Sequence, residues 1–282
     1  MAKILSGTEF LEAEKARLRD RIMRLNRAPG LGTILVGADP NSQSYIRHKH
    51  QACADVGIVS HHVELAESST QQEVIAAIEA MNNDEDVDAF IVQLPLPQQC
   101  NEEQALLAID PVKDADGLHP VNLGKLVMGV DAPRPCTPLG IQALLKDNGI
   151  DLTGKHVVIV GRGLTIGRPL ANLLTLKEAG ANATVTVVHT GTPDIAQYTR
   201  DADVVIAAVG VPDVITPDMV KDGVVLVSAG MTFGEGRRLI PDISEGCADK
   251  ASFITPRIGG VGPTTIAMLL RNTVTAAEKA NR

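Results

Sequence analysis

Short apolar runs alternate with segments of helical periodicity along the first half of the chain. The runs "GTILVG" and "DAFIVQLPLP" are typical of buried strands, and two prolines end the second run. The predicted elements are a strand at 32–37, a helix that ends at Gly57, a strand near 59–65, a helix near 70–81 and a strand at 88–97. This βαβαβ order favours a parallel sheet covered by helices.

A second alternating series fills the other half of the chain. Runs rich in valine and isoleucine predict strands at 155–161, 183–189, 203–210 and 223–230. A final helix is predicted over 265–279, after "ITPRIGGVGPTT". The chain is therefore predicted to be an α/β protein with two domains, each a mostly parallel sheet flanked by helices.

The proline-rich segment "PRPCTPLG" (133–140) separates the two series and predicts a domain junction. Thr137 can cap the helix predicted over 139–148, and Pro138 can occupy its first turn.

A glycine-rich turn links a strand to a helix in "VVIVGRGLTIGRPLANLL" (157–174). Its spacing, Gly161-x-Gly163-x-x-x-Gly167, exceeds the usual dinucleotide fingerprint by one residue. Small residues still let the backbone approach a phosphate, whose charge a helix N-terminus favours. The segment therefore predicts a Rossmann-type cofactor site, with a strand-to-helix turn that binds no ligand as the alternative. A P-loop is excluded because no Gly-Lys-Ser/Thr sequence follows.

The end of the next predicted strand, "VVHTGTPD", bears on the choice of cofactor. Enzymes that prefer NAD usually have a carboxylate here that accepts a hydrogen bond from the ribose 2′-hydroxyl. His189, Thr190 and Thr192 are neutral or donate hydrogen bonds, and Arg162 in the glycine loop can reach the same side. This pattern suits a 2′-phosphate and favours NADP over NAD. The alternative for Arg162 is a solvated surface charge.

Three polar residues are predicted to meet at the carboxyl edge of the first sheet. In "SYIRHKHQAC" (44–53), helical spacing places Lys49 on the apolar stripe, one turn after Tyr45. Gln93 ends a predicted strand, and Asp116 lies in the turn-rich loop "KDADGLHP". Each has an alternative: Lys49 could extend to solvent, Gln93 could cap backbone, and Asp116 could be a turn residue. Together they favour a ligand site, because ligands of open α/β sheets bind at this edge.

The chemistry of these residues suits a flat ligand. Burial disfavours the charged form of Lys49 and lowers its pKa, so the amine can exchange protons near neutral pH. Gln93 can hydrogen-bond the amine without adding charge. Asp116 can accept paired N–H donors, and Tyr45 offers a flat face. The combination predicts a planar heterocycle with an amino-amide edge.

The bulk composition excludes several classes of protein. The chain has 282 residues, 44% of them hydrophobic, no tryptophan and a net charge of −8. We expect a soluble protein with aliphatic cores and no nucleic-acid partner, since such a partner requires a basic surface. Neither a targeting segment nor a membrane span is expected.

The cysteines predict neither a metal site nor a redox pair. Cys53, Cys100, Cys136 and Cys247 are too widely spaced for either. We expect them to be reduced core residues in a cytoplasmic protein.

Six ordered motifs resemble those of the bifunctional methylenetetrahydrofolate dehydrogenase/methenyltetrahydrofolate cyclohydrolase family. They are "SYIRHKHQACADVGI", "VQLPLP", "PVKDADGLHP", "PCTP", "GRGLTIGRP" and "GGVGPTTIAMLL", and they cover nearly the whole chain. The resemblance implies a homodimer of two-domain subunits that act on folates with NADP. It implies a catalytic domain of residues 1–137 plus 265–282 and a Rossmann-type cofactor domain of residues 138–264.

The resemblance also implies roles for individual residues. Lys49 matches the catalytic lysine, Gln93 the glutamine that tunes it, and Asp116 the carboxylate that holds the pterin. Tyr45 matches the tyrosine that packs on the folate. The implied cofactor-binding residues are Gly161, Arg162, Gly163, Gly167, His189, Thr190 and Met231. Further folate-binding residues are Gly259, Gly260 and Pro263.

The implied reaction has two steps. Hydride passes from 5,10-methylenetetrahydrofolate to NADP⁺, and water then converts the methenyl cation to 10-formyltetrahydrofolate. The first step requires mainly alignment. The second requires proton transfers, which we assign to Lys49. The alternatives are a monofunctional dehydrogenase, a non-catalytic folate or nucleotide binder, and a two-domain dehydrogenase that acts on a small polyol.

The sequence departs from the family pattern in three places. Gly163 stands where a serine is frequent, and Ser228-Ala229-Gly230 replaces a common Asp-Val-Gly. Pro256-Arg257-Ile258-Gly259-Gly260 replaces a frequent Pro-Gly-Gly and adds a charge. These departures concern the predicted nicotinamide pocket and the folate-side loop.

Overall fold

The computed structural model describes residues 2–37, 40–234 and 239–280, without the side chains of residues 40–46 and 233. The chain divides into two compact units. The six-stranded unit comprises Met1–Leu11 and Thr137–Thr265, and the three-stranded unit comprises Glu12–Cys136 and Ile266–Arg282. Each unit draws on two separate stretches of the chain.

The elements are numbered in chain order. The strands are β1 (Lys3–Ile4), β2 (Gly30–Val36), β3 (Val59–Leu65), β4 (Ala89–Val92), β5 (His156–Val160), β6 (Thr184–Val188), β7 (Val204–Ala207), β8 (Val225–Ser228), β9 (Met231–Phe233), β10 (Leu239–Pro241) and β11 (Phe253–Ile254). The helices are α1 (Gly7–Ile22), α2 (Pro40–Val56), α3 (Gln71–Asn83), α4 (Glu102–Ala108), α5 (Pro120–Met128), α6 (Cys136–Asp147), α7 (Gly167–Leu174), α8 (Ala196–Thr199) and α9 (Val261–Ala280).

The three-stranded unit contains a parallel sheet in the order β3-β2-β4. Helix α3 begins at a capping box, in which Thr70 and Glu73 satisfy each other's backbone N–H groups. Its buried face packs into a core around Phe90 and Ile34. Gly32 lies where a Cβ would come within 2.6 Å of the Phe90 Cβ, so a larger residue would push these elements apart. The predicted βαβαβ order is confirmed.

The six-stranded unit contains a parallel sheet in the order β1-β11-β8-β7-β5-β6. Strand β5 has β6 on one side and β7 on the other, so the chain changes direction across the sheet at β5. Such a switch point is where doubly wound sheets bind nucleotides. Strands β9 and β10 form a separate antiparallel pair. The predicted α/β class with a Rossmann-type second domain is confirmed.

The cores are aliphatic, as the composition predicts. All but one of the residues of β5 are buried, as are all four of β7, and most of them are valine or isoleucine. Burial of each such side chain contributes about 1.5–3 kcal/mol. Because both faces of these strands are covered, they form continuous apolar runs without alternation.

Several element boundaries differ from those predicted. Helix α6 begins at Cys136, which places Thr137 inside its first turn, where its hydroxyl shares a 3.0 Å hydrogen bond with the Thr265 hydroxyl. Helix α9 begins at Val261, four residues early, because Thr264 Oγ1 donates to the Val261 carbonyl and stabilises a first turn that tolerates Pro263. Strand β4 ends at Val92, since Pro95 and Pro97 have no N–H for the ladder.

Among the described residues, no helix combines the length and hydrophobicity needed to cross a bilayer. In the same part of the chain, no group of three histidine, cysteine or acidic side chains could hold a metal ion.

Candidate active site

Lys49 lies on the inner face of α2. Ala52, Cys53 and Val56 on the same stripe are buried, whereas Arg47 is exposed. The Lys49 side chain is itself only 6% exposed, and its Nζ donates a 3.0 Å hydrogen bond to Oε1 of Gln93. The alternative in which Lys49 extends to solvent is therefore wrong. The side chain of Tyr45 lies outside the described residues.

Burial lowers the pKa of the Lys49 amine, because the charged form loses its hydration. The negative charge of Asp116 opposes this shift, and the thiols of Cys136 and Cys53 oppose it more weakly. Gln93 contributes a neutral acceptor, so its hydrogen bond holds the amine in place without restoring a counter-charge. The result is a lysine suited to exchange protons closer to neutral pH.

Asp116 interacts electrostatically with Lys49 from the loop between α4 and α5. Burial raises the pKa of its carboxyl group, Lys49 lowers it, and the nearby Asp114 raises it again. Each member of the Lys49–Asp116 pair thus favours the charged form of the other, while burial disfavours both charges. The structure brings together the three polar residues Lys49, Gln93 and Asp116.

Sequence reasoning missed Asp114, which organises the loop that carries Asp116. Its buried carboxylate accepts hydrogen bonds from the backbone N–H groups of Gly117 and His119 and from the side chain of Asn122. An aspartate three residues before a glycine is a signal for a side-chain-capped turn, and it could have found this role. Gly117 has φ of 73°, and a Cβ there would overlap the backbone at Arg134.

The glycines of the predicted cofactor loop are not equivalent. Gly161 has φ of 123°, and a Cβ at Gly167 would overlap the Gly161 carbonyl, so the close turn requires both glycines. Gly163 is exposed, and no atom lies within 4 Å of the position its Cβ would take. The open space beside Gly163, at the N-terminus of α7, is suited to a phosphate.

The ends of β6 and β7 flank this loop. The Gly161 N–H donates to the Val188 carbonyl at 2.8 Å, and a Cβ at Gly161 would lie 2.5 Å from the Ala208 carbonyl oxygen. His189 Nδ1 accepts from the Gly191 N–H, so the neutral ring carries its proton on Nε2. Thr190 is exposed in the same turn.

The donor set at this edge fits a phosphorylated dinucleotide. Arg162 and Arg168 are both exposed, on and just after the glycine loop. Residues 189–193 contain no carboxylate that would repel a 2′-phosphate. The glycine loop, the two guanidinium groups and the helix N-terminus are therefore suited to hold NADP.

A buried carboxylate that sequence reasoning also missed, Asp242, supports the ends of β7 and β8. Its Oδ2 accepts hydrogen bonds from the Val209 and Gly210 N–H groups, at 2.8 and 3.1 Å. Ser228, where the family often has aspartate, accepts through Oγ from the Asp242 N–H. Gly230 packs so closely that a Cβ there would overlap Asp242. Met231, the next residue, is 45% exposed.

The predicted folate-side residues lie in the six-stranded unit. Gly259 has φ of 78°, and its carbonyl accepts a hydrogen bond from the Thr8 N–H. Gly260 directly precedes α9, and Pro263 is in the first turn of that helix. Of the unusual residues nearby, Arg257 pairs with Glu245 at 3.5 Å, and Ile258 is 70% exposed.

Comparison with known proteins gives matches along nearly the whole chain. The tetrahydrofolate dehydrogenase/cyclohydrolase catalytic-domain model matches residues 5–116, and the NAD(P)-binding-domain model of the same name matches residues 135–281. The "Bifunctional protein FolD" of Syntrophotalea carbinolica is 54% identical over 255 residues, which are 90% of this chain and 88% of that protein.

Two solved structures extend this similarity to three dimensions. The bifunctional FolD of Campylobacter jejuni has a TM-score of 0.95 at 41% identity, with 99% of this chain and 100% of that chain covered. The FolD of Trypanosoma brucei, solved with NADP cofactor and inhibitor, has a TM-score of 0.93 at 36% identity, with 100% and 99% covered.

Proposed function

The chain belongs to the tetrahydrofolate dehydrogenase/cyclohydrolase family, and we propose on this premise how its own residues carry out the two reactions. It is an NADP-dependent enzyme that oxidises 5,10-methylenetetrahydrofolate to 5,10-methenyltetrahydrofolate and hydrolyses the product to 10-formyltetrahydrofolate. The observation that carries the proposal is the buried Lys49 amine, held by Gln93 and within electrostatic reach of Asp116.

Asp116 and Tyr45 are assigned to folate binding. The pterin ring presents adjacent N–H donors, which a carboxylate can accept as a pair. The half-buried Asp116 carboxylate favours ligands with this pair of N–H donors, because a ligand without them would leave its negative charge without hydrogen bonds from the ligand. Tyr45 lies one helical turn before Lys49 and would pack its ring against the pterin.

NADP⁺, when bound, supplies the acceptor for the hydride that leaves the methylene carbon. The electron pair that remains on the folate nitrogens stabilises the product as a methenyl cation, so this step depends mainly on alignment. We assign the phosphates to the loop of Gly161, Arg162, Gly163 and Gly167. His189, Thr190 and Met231 are assigned to contacts with the rest of the cofactor.

Lys49 is assigned to the hydrolytic step. Water adds to the cationic methenyl carbon, and the neutral amine accepts a proton from that water as the C–O bond forms. The bond from the carbon to N5 then breaks, N5 gains a proton, and the remaining hydroxyl proton leaves to give the formyl group on N10. Gln93 keeps the amine oriented and favours the ammonium form less than a carboxylate would, because it offers a neutral oxygen.

We assign folate chemistry to residues 1–137 plus 265–282 and cofactor binding to residues 138–264. Gly259, Gly260 and Pro263 are assigned to the folate side on the family resemblance, and the positive φ of Gly259 suits the turn that precedes α9. The junction near residue 137 is supported by the family models, although the NAD(P)-binding model continues to residue 281. The place of the C-terminal segment is supported by the three-stranded unit, which includes Ile266–Arg282, whereas Met1–Leu11 lies in the six-stranded unit.

We further propose that the enzyme is a cytoplasmic homodimer without a nucleic-acid partner. Support for a second copy comes from the family resemblance and from β3, a seven-residue strand at the edge of its sheet whose outer N–H and C=O groups could pair with another chain. Support for a reducing compartment comes from the four cysteines, all free thiols. Light scattering on the purified protein would give the mass, and a monomer would exclude the dimer.

One assay tests the function. The protein is mixed with 5,10-methylenetetrahydrofolate and either NADP⁺ or NAD⁺, and absorbance follows the appearance and decay of the methenyl compound. We expect appearance with NADP⁺ and enzyme-dependent decay. If the methenyl compound appears but does not decay in an enzyme-dependent way, the protein is a monofunctional dehydrogenase. If the methenyl compound does not appear at all, the protein is a non-catalytic binder.

A further inference from the structure

Asp114 is a buried carboxylate whose oxygens accept three N–H donors. Its side chain is 2% exposed. The backbone N–H groups of Gly117 and His119 donate to it at 2.9 and 2.8 Å, and Asn122 Nδ2 donates at 2.9 Å. Asn122 is fully buried, and the same nitrogen also donates to the Pro111 carbonyl. One carboxylate therefore closes the loop onto the start of α5.

The other side of the loop is held by α6 and α9. The Cys136 Sγ and the Asn272 side chain both bond the Ala115 carbonyl, and the Cys136 N–H donates to the Asp116 carbonyl. The Ala115 N–H donates to the Phe90 carbonyl of β4. The backbone on both sides of Asp116 is thus fixed, which leaves its carboxylate as the group that the loop presents to Lys49.

We propose that Asp114 is a positioning residue for folate binding, which fixes the loop that presents Asp116 and places a second negative charge beside it. The inference rests on the proposed function, because it assumes that Asp116 holds the pterin. It assigns Asp114 no contact with the folate: Asp114 acts through the geometry and the protonation of Asp116.

The groups that face Asp116 come from three elements. Lys49 on α2 favours the ionised form of Asp116, Asp114 in the same loop disfavours it, and the neighbouring Cys136 thiol on α6 favours it more weakly. Because Asp114 raises the pKa of Asp116, removal of its charge lowers that pKa. Ionised Asp116 then persists to lower pH, and binding that requires it extends to lower pH as well.

The experiment measures the Kd of folic acid, which carries the same amino-amide edge, from neutral pH downward. Asp114→Asn removes the charge, and its amide keeps one oxygen for His119 and Asn122 but turns an NH₂ group towards the Gly117 N–H. Asn122→Leu removes one donor and leaves the charge. Asp88→Asn is the matched control, since Asp88 is another buried carboxylate that bonds Arg27 and the Gly30 N–H at the opposite end of β4.

Three results are expected. Asp114→Asn weakens binding at neutral pH by roughly 5- to 100-fold and moves the acid midpoint of binding down by about half a pH unit or more. Asn122→Leu weakens binding roughly 2- to 10-fold at every pH without moving the midpoint. Asp88→Asn lowers stability and changes neither quantity. A merely structural role for Asp114 would weaken binding without moving the midpoint.

An unmoved midpoint in Asp114→Asn overturns the inference, as does unchanged affinity in Asn122→Leu. If Asp114→Asn does not fold, the Asn122→Leu affinity decides between the two outcomes. The wild-type protein separates the inference from the function beneath it: failure to bind folic acid would overturn the proposed function, and the inference with it, before any variant is compared.

Discussion

Lys49 Nζ and Gln93 Oε1 are joined by a 3.0 Å hydrogen bond across 44 residues of sequence. Lys49 lies on the helix that follows β2, and Gln93 directly follows β4, the neighbouring strand. The parallel pairing of β2 with β4 therefore brings the two together, and the Gln93 N–H continues the ladder to the Ile34 carbonyl. A neutral acceptor against a buried amine is the arrangement on which the proposed hydrolysis depends.

Lys49→Met should abolish hydrolysis and weaken hydride transfer less. Loss of a positioned base costs about 10²- to 10⁴-fold in the step that it serves, whereas alignment of the folate survives in part. The two rates are read from methenyl appearance and decay. Lys15→Met is the control, because Lys15 is also buried but is paired with Asp55 and Glu12. Burial lowers the pKa of Lys15, but the two carboxylates outweigh burial, so its pKa is raised. Unchanged cyclohydrolase turnover in Lys49→Met would remove the assignment.

Gln93→Glu should move the pH profile of hydrolysis towards alkaline pH. A carboxylate at the Gln93 position would favour the ammonium form and raise the pKa of Lys49, so a higher pH would be needed to free the amine. Gln93→Met serves as the partner variant: it removes the hydrogen bond without adding charge, so it should lower the rate without an alkaline shift. If both variants had the same pH profile of hydrolysis, the proposal that the uncharged side chain of Gln93 matters for the pKa of Lys49 would be contradicted.

Arg162→Gln should reduce the preference for NADP over NAD. A charge-assisted hydrogen bond to a 2′-phosphate contributes about 1.5–3 kcal/mol, so KM for NADP⁺ should rise roughly 10- to 100-fold while KM for NAD⁺ changes little. Arg200→Gln, at the C-terminal end of α8 in the same unit, is the matched exposed control. Equal effects on both cofactors would indicate that Arg162 does not contact the 2′-phosphate.

Gly167→Ala and Gly163→Ala should differ in stability. The Cβ at residue 167 would overlap the Gly161 backbone, so this variant should lower the melting temperature. The Cβ at residue 163 meets no atom within 4 Å, and a serine is frequent there in the family, so that variant should fold normally and leave KM for NADP⁺ nearly unchanged. Thermal denaturation and steady-state kinetics give the two readouts. An equal loss of stability in both variants would contradict the requirement for glycine at residue 167.

Glu14→Gln should destabilise the protein at neutral pH but not in acid. Burial alone would raise the pKa of Glu14, but hydrogen bonds and charges from Arg271 and Arg17 lower it below its usual value of 4.5. Because the pKa of Glu14 is lower in the folded state than in the unfolded state, ionised Glu14 stabilises the folded protein above pH 4.5. This contribution is lost as the pH falls through the folded-state pKa. Because both guanidinium groups are partly exposed, we expect a loss of only about 1–2 kcal/mol.

Urea denaturation of wild type and Glu14→Gln at neutral and acid pH measures this difference, which should shrink below pH 4.5. Glu12→Gln is a suitable comparison, since Glu12 is 60% exposed and should be nearly neutral. A difference between wild type and Glu14→Gln that stays constant with pH would point to packing instead of charge.

Much of the fold could be predicted from periodicity. Strand β3 has the predicted bounds, although its residues are exposed or only partly buried and include two histidines and a glutamate. The valine-rich runs of the six-stranded sheet pair as parallel neighbours. These runs are predictable because buried strands require continuous apolar sequence. The pairing of β1 with β11 gives no such signal, since each strand has two residues and the contact is set by packing between distant segments.

The candidate site was predictable where one residue breaks a local rule. Lys49 is a charge on an apolar stripe, so the sequence itself marks it. Asp114 precedes Gly117 by three residues, which indicates a side-chain-capped turn, but neither Asp114 nor Asp242 breaks a local rule, because aspartate is ordinary in loops. Their burial and their backbone donors depend on the folded loops around them. Thr137 shows the converse: its residue type suits a helix cap, but tertiary contact with Thr265 draws it inside the helix.

The pairing of Lys3 with Phe253 has a consequence for biosynthesis. The ribosome makes β1 before the other described strands, yet the strand that receives it emerges about 250 residues later. At 5–20 residues per second, the N-terminal segment waits roughly 10 to 50 s for its neighbour. Any part of the six-stranded sheet that assembles during this interval does so with one edge unpaired, and β1 is incorporated only after β11 has been made.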